Sequence, residues 1–306
     1  MKRVFGKLFG KVSKKTIRNI NSRIIHLPDD LLDPAAFLIV SGPMVSDVWP
    51  AIYIANTLQK VFPEKDITVI CKRRDSGLFN MLRLRPPVHS YTGHPEIPDT
   101  IEPDSFPDGT VLVYPYATVR NDMQNILCCT SCGIRMAPLN DSSPYINLRV
   151  KTEVDSYPDI LSQMCSALKI TFDANWKPSI PEQIEIATEK FMAPVSGRML
   201  PYIATTPTAL AILEKNRVEI PLRTIVLSGR NSEFADMDRD LKTAIIADAS
   251  AVVTDSDDLW GDACACEIPV VGLDRSGSFI KWTYMKPAAD EREFLEAWVK
   301  LLKTGW

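Results

Sequence analysis

The chain has 306 residues, enough for two domains of ordinary size. Its hydrophobic content of 45% and charged content of 24% are typical of globular proteins in water. No apolar run approaches the roughly 20 residues of a membrane span. The first residues lack the apolar core of a secretory signal. We therefore expect a cytoplasmic protein.

The net charge of −3 conceals an uneven distribution. Residues 1–28 hold eight of the 35 basic residues and no acid, which leaves 27 basic against 38 acidic residues in the remainder. An acidic body argues against nucleic acid as a partner. Apolar residues alternate with the basic ones in this segment, a pattern typical of a helix lying on an anionic membrane surface. The alternative is a basic tail that is disordered or packed on the protein's own surface.

The seven cysteines are an odd number without a secretion signal, which favours reduced thiols. Cys128, Cys129 and Cys132 include a C-x-x-C spacing. A zinc site needs more ligands, and none of the three histidines, His26, His89 and His94, lies close to these cysteines in the sequence. Buried apolar thiols are the interpretation that we adopt.

The first half begins with the unit around which the chain is organised. The apolar run 37–40 predicts a buried strand, Gly42 and Pro43 interrupt it, and apolar residues from Val48 to Phe62 recur at helical spacing. Asp47 precedes that helix. Because ligands of open α/β sheets bind at the carboxyl ends of strands, Asp47 is a candidate site residue.

The rest of the chain alternates strands with helices. Further strands are predicted at 66–71, 110–114, 134–137, 201–206, 223–228, 251–255 and 268–273. Further helices are predicted at 122–132, 153–169, 208–215, 238–249, 259–266 and 288–303, whereas 86–110 is rich in Pro and Gly and predicts loops. The segment 170–184 is predicted to be the crossing between two α/β halves.

At this point the sequence resembles glycosyltransferase family 9, the heptosyltransferases, from about Ala36 to Leu273. In that family a Ser-Ser-x-Gly-Asp-Val loop follows the first strand, and Pro43 to Val48 aligns with it without a gap. Tyr202 to Thr206 resembles the family's Ala-Thr-Thr strand end. Val253 to Ser256 resembles the start of an Asp-Thr-Gly-x-x-His-Leu motif.

The resemblance implies an α/β fold of GT-B type, two Rossmann-like doubly wound domains that face a cleft. It places an acceptor domain at 34–177 and a donor domain at 178–306, whose last helix could cross back, after the basic segment at 1–33. It implies Asp47 as the catalytic base and Thr205, Thr206, Asp255 and Ser256 as donor-binding residues. Arg230, which follows Gly229, is a further candidate contact for an anion, and Asn231 is one for a nucleoside.

The sequence also departs from the family's pattern. The motif's glycine and histidine positions hold Asp257 and Trp260, and the lysine expected after the threonines is replaced by Leu210. Asp257 and Asp258 would place negative charge beside the donor diphosphate. A divalent metal bound by Asp257 and Asp258 is one way to offset it, although no cofactor is otherwise expected. Trp49 and Trp260 could stack on a sugar or base, or belong to the core.

These features support two hypotheses of different classes. The first is an inverting glycosyltransferase at the inner membrane, which uses a nucleotide sugar and a lipid-linked or cell-surface glycan acceptor. In the second, the lost glycine, histidine and lysine mark a catalytically degenerate GT-B protein that acts as a binding or scaffolding module.

Overall fold

The computed structural model describes residues 31, 33–42, 48–93, 95, 106–129, 132–139, 143–152, 154, 156–196, 201–228, 234, 237–277, 279 and 286–304. The proposed membrane-binding segment 1–28 lies outside these residues. So do the site residues Asp47, Arg230 and Asn231. Among the helices of the described part, none combines the length and apolar character needed to span a bilayer.

The first half of the chain forms a six-stranded sheet in which every pair of neighbours is parallel. Its strands are β1 (Ala36–Val40), β2 (Asp66–Lys72), β3 (Val88–Tyr91), β4 (Val111–Val113), β5 (Ile134–Ala137) and β6 (Leu148–Arg149). The order β3-β2-β1-β4-β5-β6 is that of a dinucleotide-binding fold. The strand order reverses between β1 and β4, where such sheets bind their ligands.

Helices cover both faces of this sheet. Successive residues of a strand point to opposite faces, and those of β1 are all apolar, so both faces must be buried. Phe37 and Ile39 pack with α1 (Val48–Val61) and α3 (Tyr157–Ala167). Leu38 and Val40 pack with α2 (Gln124–Cys129) on the other face. Two short 3-10 helices, Arg73–Met81 and Asn121–Met123, complete this half.

The second half forms a four-stranded parallel sheet of the order β10-β9-β7-β8. Its strands are β7 (Tyr202–Thr205), β8 (Arg223–Val226), β9 (Ala251–Thr254) and β10 (Val270–Gly272). Its helices are α4 (Glu182–Ser196), α5 (Pro207–Lys215), α6 (Arg239–Ala247), α7 (Asp257–Ala265) and α8 (Glu291–Thr304). The order of this sheet reverses between β7 and β9.

The second sheet also carries helices on both faces. Ala204 and Val252 share a core with α4, α6 and α7, and Ile203 and Val253 share one with α5 and α8. The last helix buries Phe294 and Trp298 in that second core. These contacts place α8 on the second sheet, and they do not show the expected crossing back to the first half.

Helix α1 joins the two halves. A helix that is apolar on all sides must be buried on all sides, and every residue from Val48 to Ala55 is buried. One side of α1 packs on the first sheet, and Ala265 of α7 belongs to the same core. The hydroxyl of Tyr53 donates to the Ala265 carbonyl over 3.4 Å. Residues of the second half therefore contribute to the burial of α1.

The parallel α/β architecture of both halves is confirmed, and the cleft between them stays a prediction. Two strands and one α-helix were missed, and so was the 3-10 helix Arg73–Met81. Strand β3 lies in the segment predicted as loops, β6 has only two residues, and α4 begins within the predicted crossing at 170–184 and extends past it.

Candidate functional site

The second sheet brings two segments together at the point where its strand order reverses. Thr205 and Val253 are register partners in β7 and β9, so the residues after both strands lie side by side at the carboxyl ends. The Thr206 hydroxyl donates to Asp255 Oδ1 over 2.5 Å. Thr205, Thr206, Asp255 and Ser256, which the sequence proposed together, are therefore neighbours in the fold.

Thr206 has a structural role as well. It is the N-cap of α5, and its hydroxyl oxygen accepts from the backbone N–H of Ala209 over 3.3 Å. Pro207 takes the first helical position, where a missing N–H costs nothing. The Thr205 hydroxyl donates to the Thr206 carbonyl over 3.2 Å, and both threonines are buried. A donor phosphate could accept hydrogen bonds from these two hydroxyls only by replacing Asp255 and the Thr206 carbonyl as their acceptors.

Asp255 and Ser256 are half-buried, so they offer more of their surface than the threonines do. The backbone N–H of Ser256 donates to the Thr254 hydroxyl over 2.9 Å, and Ser256 precedes α7 as its N-cap residue. The starts of α5 and α7 thus flank the Thr206–Asp255 hydrogen bond. Helix N-termini favour anions through their unpaired N–H groups and their dipoles.

The acidic segment that follows does not form one cluster. Asp258 and Asp262 are four residues apart and share one side of α7. Asp262 is fully buried, and Asp258 interacts electrostatically with Arg239 and Asp262. Asp257 stands in the first turn of α7, where the helix dipole favours a carboxylate. Part of the negative charge expected beside a diphosphate is therefore directed at an arginine.

Arg239 lies between two carboxylates from different halves of the molecule. Its Nη1 donates to Asp75 Oδ1 over 2.6 Å, and its Nη2 donates to Asp262 Oδ1 over 3.0 Å. Asp262 also accepts from Trp49 Nε1 over 2.7 Å and from the Thr243 hydroxyl over 3.0 Å. We call these five residues the junction cluster. Two of its hydrogen bonds, Arg239 to Asp75 and Trp49 to Asp262, join the first half to the second.

Burial dominates the electrostatics of this region. It raises the pKa of Asp75 despite the opposing effect of Arg239. It raises the pKa of Asp258 to about 7, and Asp262 and Asp257 add to the increase whereas Arg239 and Arg74 oppose it. Burial alone would lower the pKa of Arg239, but Asp262 and Asp75 raise it above its ordinary value. The guanidinium is therefore charged at any physiological pH.

The two tryptophans considered as stacking platforms are core residues. Trp49 and Trp260 are both fully buried. Trp260 packs against Phe279 with 5.4 Å between ring centroids, and a Cβ on Gly272 would lie 2.4 Å from the indole. Gly272 is required because the ring occupies that space. Neither indole face is open to a sugar or base.

The described residues contain no group of three or more His, Cys, Asp or Glu side chains that could hold a metal ion. Cys128 and Cys132 are buried, as the apolar-thiol interpretation expects. The metal alternative at Asp257 and Asp258 stays a prediction, and a binding experiment with divalent cations tests it below.

The first sheet presents its own reversal point. Strand β1 ends at Val40, and β4 is the neighbour of β1 across the reversal. Helix α1 begins at Val48, and Trp49 in its first turn donates a hydrogen bond to Asp262. The start of α1 is therefore in contact with α7 of the second half.

Comparison with known proteins gives a consistent result at the level of structure. No family model matches the sequence, and no curated protein matches it. The glycosyl transferase family 9 protein of Veillonella parvula DSM 2008 is similar with a TM-score of 0.60 and 11% identity, over 89% of this chain and 99% of that one. The chain has the fold of the family 9 glycosyltransferases.

Two heptosyltransferases of E. coli share this fold. The ADP-heptose lps heptosyltransferase II is similar with a TM-score of 0.55 and 12% identity, over 88% of this chain and 99% of that chain. Heptosyltransferase WaaC, solved with ADP, is similar with a TM-score of 0.56 and 8% identity, over 87% of this chain and 97% of that chain. The likeness to family 9 seen in the sequence is confirmed as a likeness of fold that spans nearly the whole length of these proteins.

Sequence reasoning missed the junction cluster. Asp75, Arg239 and Thr243 belong to no motif, and 164 residues separate Asp75 from Arg239. The only signal was the i, i+4 spacing of Asp258 and Asp262, since two acids on one helix face predict a cation opposite them.

Proposed function

We propose that this protein is an inverting glycosyltransferase that moves a sugar from a nucleotide sugar to a hydroxyl group of a lipid-linked or cell-surface glycan. The observation that carries the proposal is the Thr206–Asp255 hydrogen bond at the reversal point of the second sheet. Sheets of this type bind nucleotides at that point. The family 9 fold of the whole chain supports it.

The donor would lie across the starts of α5 and α7. Backbone N–H groups there, with Arg230, would meet the diphosphate. Asp255, oriented by Thr206, would accept a hydrogen bond from a donor hydroxyl, and Ser256 and Asn231 would add polar contacts. This arrangement relies on dipoles and one arginine, because Leu210 and Asp257 replace the family's lysine and glycine.

The acceptor would be activated from the first half. Asp47 would remove the proton of the acceptor hydroxyl as that oxygen attacks the anomeric carbon from the side opposite the nucleotide. The bond from the anomeric carbon to the phosphate oxygen breaks, and the nucleoside diphosphate leaves with that electron pair. One displacement inverts the configuration at the anomeric carbon. Residues 1–28 would bring the enzyme to an anionic membrane that carries the acceptor.

The decisive experiment is transfer by wild type and Asp47→Asn, measured as nucleoside diphosphate released. We expect the substitution to reduce kcat by roughly 10²-fold or more while donor binding persists, because only the base is lost. Asp159→Asn is the matched control, since Asp159 is an exposed acid in the first turn of α3. Equal rates for Asp47→Asn and wild type would refute the mechanism.

A binding or scaffolding module is the second candidate, and one observation favours it. At the position of the family's histidine, Trp260 is buried in the core and presents no polar group to a donor. Calorimetry against a panel of ADP- and UDP-sugars, with and without Mg²⁺ or Mn²⁺, separates the two candidates. Saturable binding of one donor supports the transferase, and binding of none supports the module. Binding that requires the cation would support a metal at Asp257 and Asp258.

A further inference from the structure

The two sheets are joined by a buried ionic contact that the proposed chemistry does not use. Asp75 is fully buried in the 3-10 helix Arg73–Met81 of the first half. Arg239 begins α6 of the second half, and its side chain is 8% exposed. Charges taken out of water in this way must be paired, since an unpaired one costs several kcal/mol. The contact therefore favours one relative placement of the two helices.

The geometry of the contact is restrictive. The planar guanidinium places Nη1 on Asp75 and Nη2 on Asp262, so one rigid group spans both halves. Asp262 is held in turn by Thr243 within the second half and by Trp49 of α1. A shift of the halves by about 1 Å would break either the Asp75 or the Trp49 hydrogen bond.

Close packing beside the cluster leaves little room for such a shift. A Cβ on Gly77 would lie 2.7 Å from Asp240 Oδ2, so the 3-10 helix and α6 approach each other closely. A Cβ on Gly261 would lie 3.4 Å from Trp49 Cδ1, so α7 and α1 are also in contact. Both glycines stand where the halves meet.

We propose that Arg239 is a positioning residue that fixes the two halves in one orientation by bridging Asp75 and Asp262. The consequence for catalysis rests on the proposed function. A base on the first half and a donor on the second react only when their spacing is correct, and a misplacement of about 1 Å can cost about 10²-fold in rate. The bridge sets kcat, whereas donor affinity depends on the second half alone.

The test compares two substitutions within the same cluster. Asp75→Leu removes the hydrogen bond between Arg239 and Asp75, which crosses between the halves. It leaves Arg239 paired with Asp262, so no buried charge loses its only partner. Thr243→Val removes a hydroxyl that also donates to Asp262, but both partners belong to the second half. Thermal unfolding followed by circular dichroism confirms that each variant is folded.

The first readout is the distance distribution between spin labels on Glu64→Cys and Lys215→Cys, two exposed positions on different halves, in a Cys129→Ser, Cys266→Ser background. We expect one narrow distribution for wild type and Thr243→Val, and a broad or second distribution for Asp75→Leu. Unchanged distances in Asp75→Leu, or equal changes in both variants, would overturn the proposal. This readout does not require any enzymatic activity.

The second readout is steady-state transfer. We expect Asp75→Leu to lower kcat by roughly 10-fold or more with the donor KM within about 2-fold of wild type, and Thr243→Val to change neither. A broadened distance with an unchanged kcat would overturn the positioning role. If wild type transfers no sugar, the proposed function fails, and the distance readout alone decides whether the bridge fixes the halves.

Discussion

The strand-end site, formed by Thr206, Asp255 and the residues beside them, lies before the start of α7, whereas Asp262 of the junction cluster lies within that helix. Each uses an aspartate, but in opposite ways. Asp255, at the end of β9, is half-buried and is held by one neutral hydroxyl at 2.5 Å. Asp262, on the body of α7, is fully buried and accepts hydrogen bonds from an arginine, an indole and a hydroxyl. A carboxylate with satisfied hydrogen bonds holds structure, and one with spare acceptor capacity can meet a ligand.

This difference changes how the acidic run after β9 is understood. The sequence suggests that Asp257 and Asp258 lie beside the donor diphosphate, which their negative charge would repel. In the fold, Arg239 donates to Asp262 and interacts electrostatically with Asp258, so the charge that a donor would meet is smaller than the sequence indicates. Four substitutions test whether Asp262 and its partners are structural whereas Asp255 and Thr206 bind the donor, and the most destabilising substitution comes first.

Arg239→Met should have the largest effect on stability. It removes the cation between Asp75 and Asp262 and leaves two buried carboxylates without their partner, which costs about 3–5 kcal/mol of the free energy of unfolding. Urea denaturation at pH 7 measures the loss. Arg292→Met, at an exposed site on α8, is the control and should leave the unfolding midpoint unchanged. A similar midpoint for the two variants would contradict a buried ionic junction.

Trp260→His tests whether the position of the family's histidine has become a core position. The smaller polar ring leaves a cavity beside Phe279 and Gly272, and we expect a loss of about 3 kcal/mol. Trp260→Phe should cost less, because it keeps an apolar ring. Calorimetry should show no gain in donor affinity for Trp260→His. A gain would mean that this position faces the donor.

Asp258→Asn should alter the pH dependence of stability. The pKa of Asp258 is raised to about 7, so the folded protein holds a proton that the unfolded chain has released from about pH 4 upward. Wild-type stability therefore falls as the pH rises through this window. An amide in place of the carboxyl group does not titrate, so the variant should equal wild type near pH 4 and exceed it by about 4 kcal/mol at pH 8.

Chemical denaturation at several pH values measures this difference. Asp258 faces Arg239 and Arg74 as cations and Asp262 and Asp257 as acids, and these groups are unchanged in the variant. The variant minus wild-type difference therefore isolates Asp258. A difference that does not vary with pH would contradict the raised pKa.

Thr206→Ala should have the smallest effect on stability and a specific effect on binding. The helix α5 loses its cap, at a cost of about 1 kcal/mol, and Asp255 loses the hydroxyl that orients it. Thr206→Ser keeps both hydrogen bonds and is the matched control. We expect weaker donor binding for Thr206→Ala only. Weaker binding for both variants, or for neither, would show that the hydroxyl does not act through Asp255.

Much of the fold could be predicted from the sequence because each half buries its sheet on both faces. Apolar runs such as 37–40 and 251–254 and the helical spacing of α1 are direct consequences of that burial. Strand β3 was missed because prolines and glycines surround it, and α4 was missed because its apolar stripe is weak and two exposed positions, Ile186 and Phe191, blur it.

The grouping at the strand ends could also be predicted, because parallel strands bring their carboxyl ends to one edge. The hydrogen-bond or ionic partner of each side chain could not be predicted from the sequence. Whether Asp258 faces a donor or Arg239 depends on the rotation of α7 and on the docking of a distant segment, the 3-10 helix of the first half. The burial of Trp260 depends likewise on Gly272 and Phe279, which lie outside the motif that contains it.

Hydrogen exchange of the wild-type protein with and without a nucleoside diphosphate tests the central claim most directly. With nucleotide bound, we expect slower exchange at the backbone amides of residues 206–210 and 255–259, at the starts of α5 and α7, with little change around Asp75 and Arg239. Protection confined to other segments, or none at saturating nucleotide, would contradict a donor site at the reversal point of the second sheet.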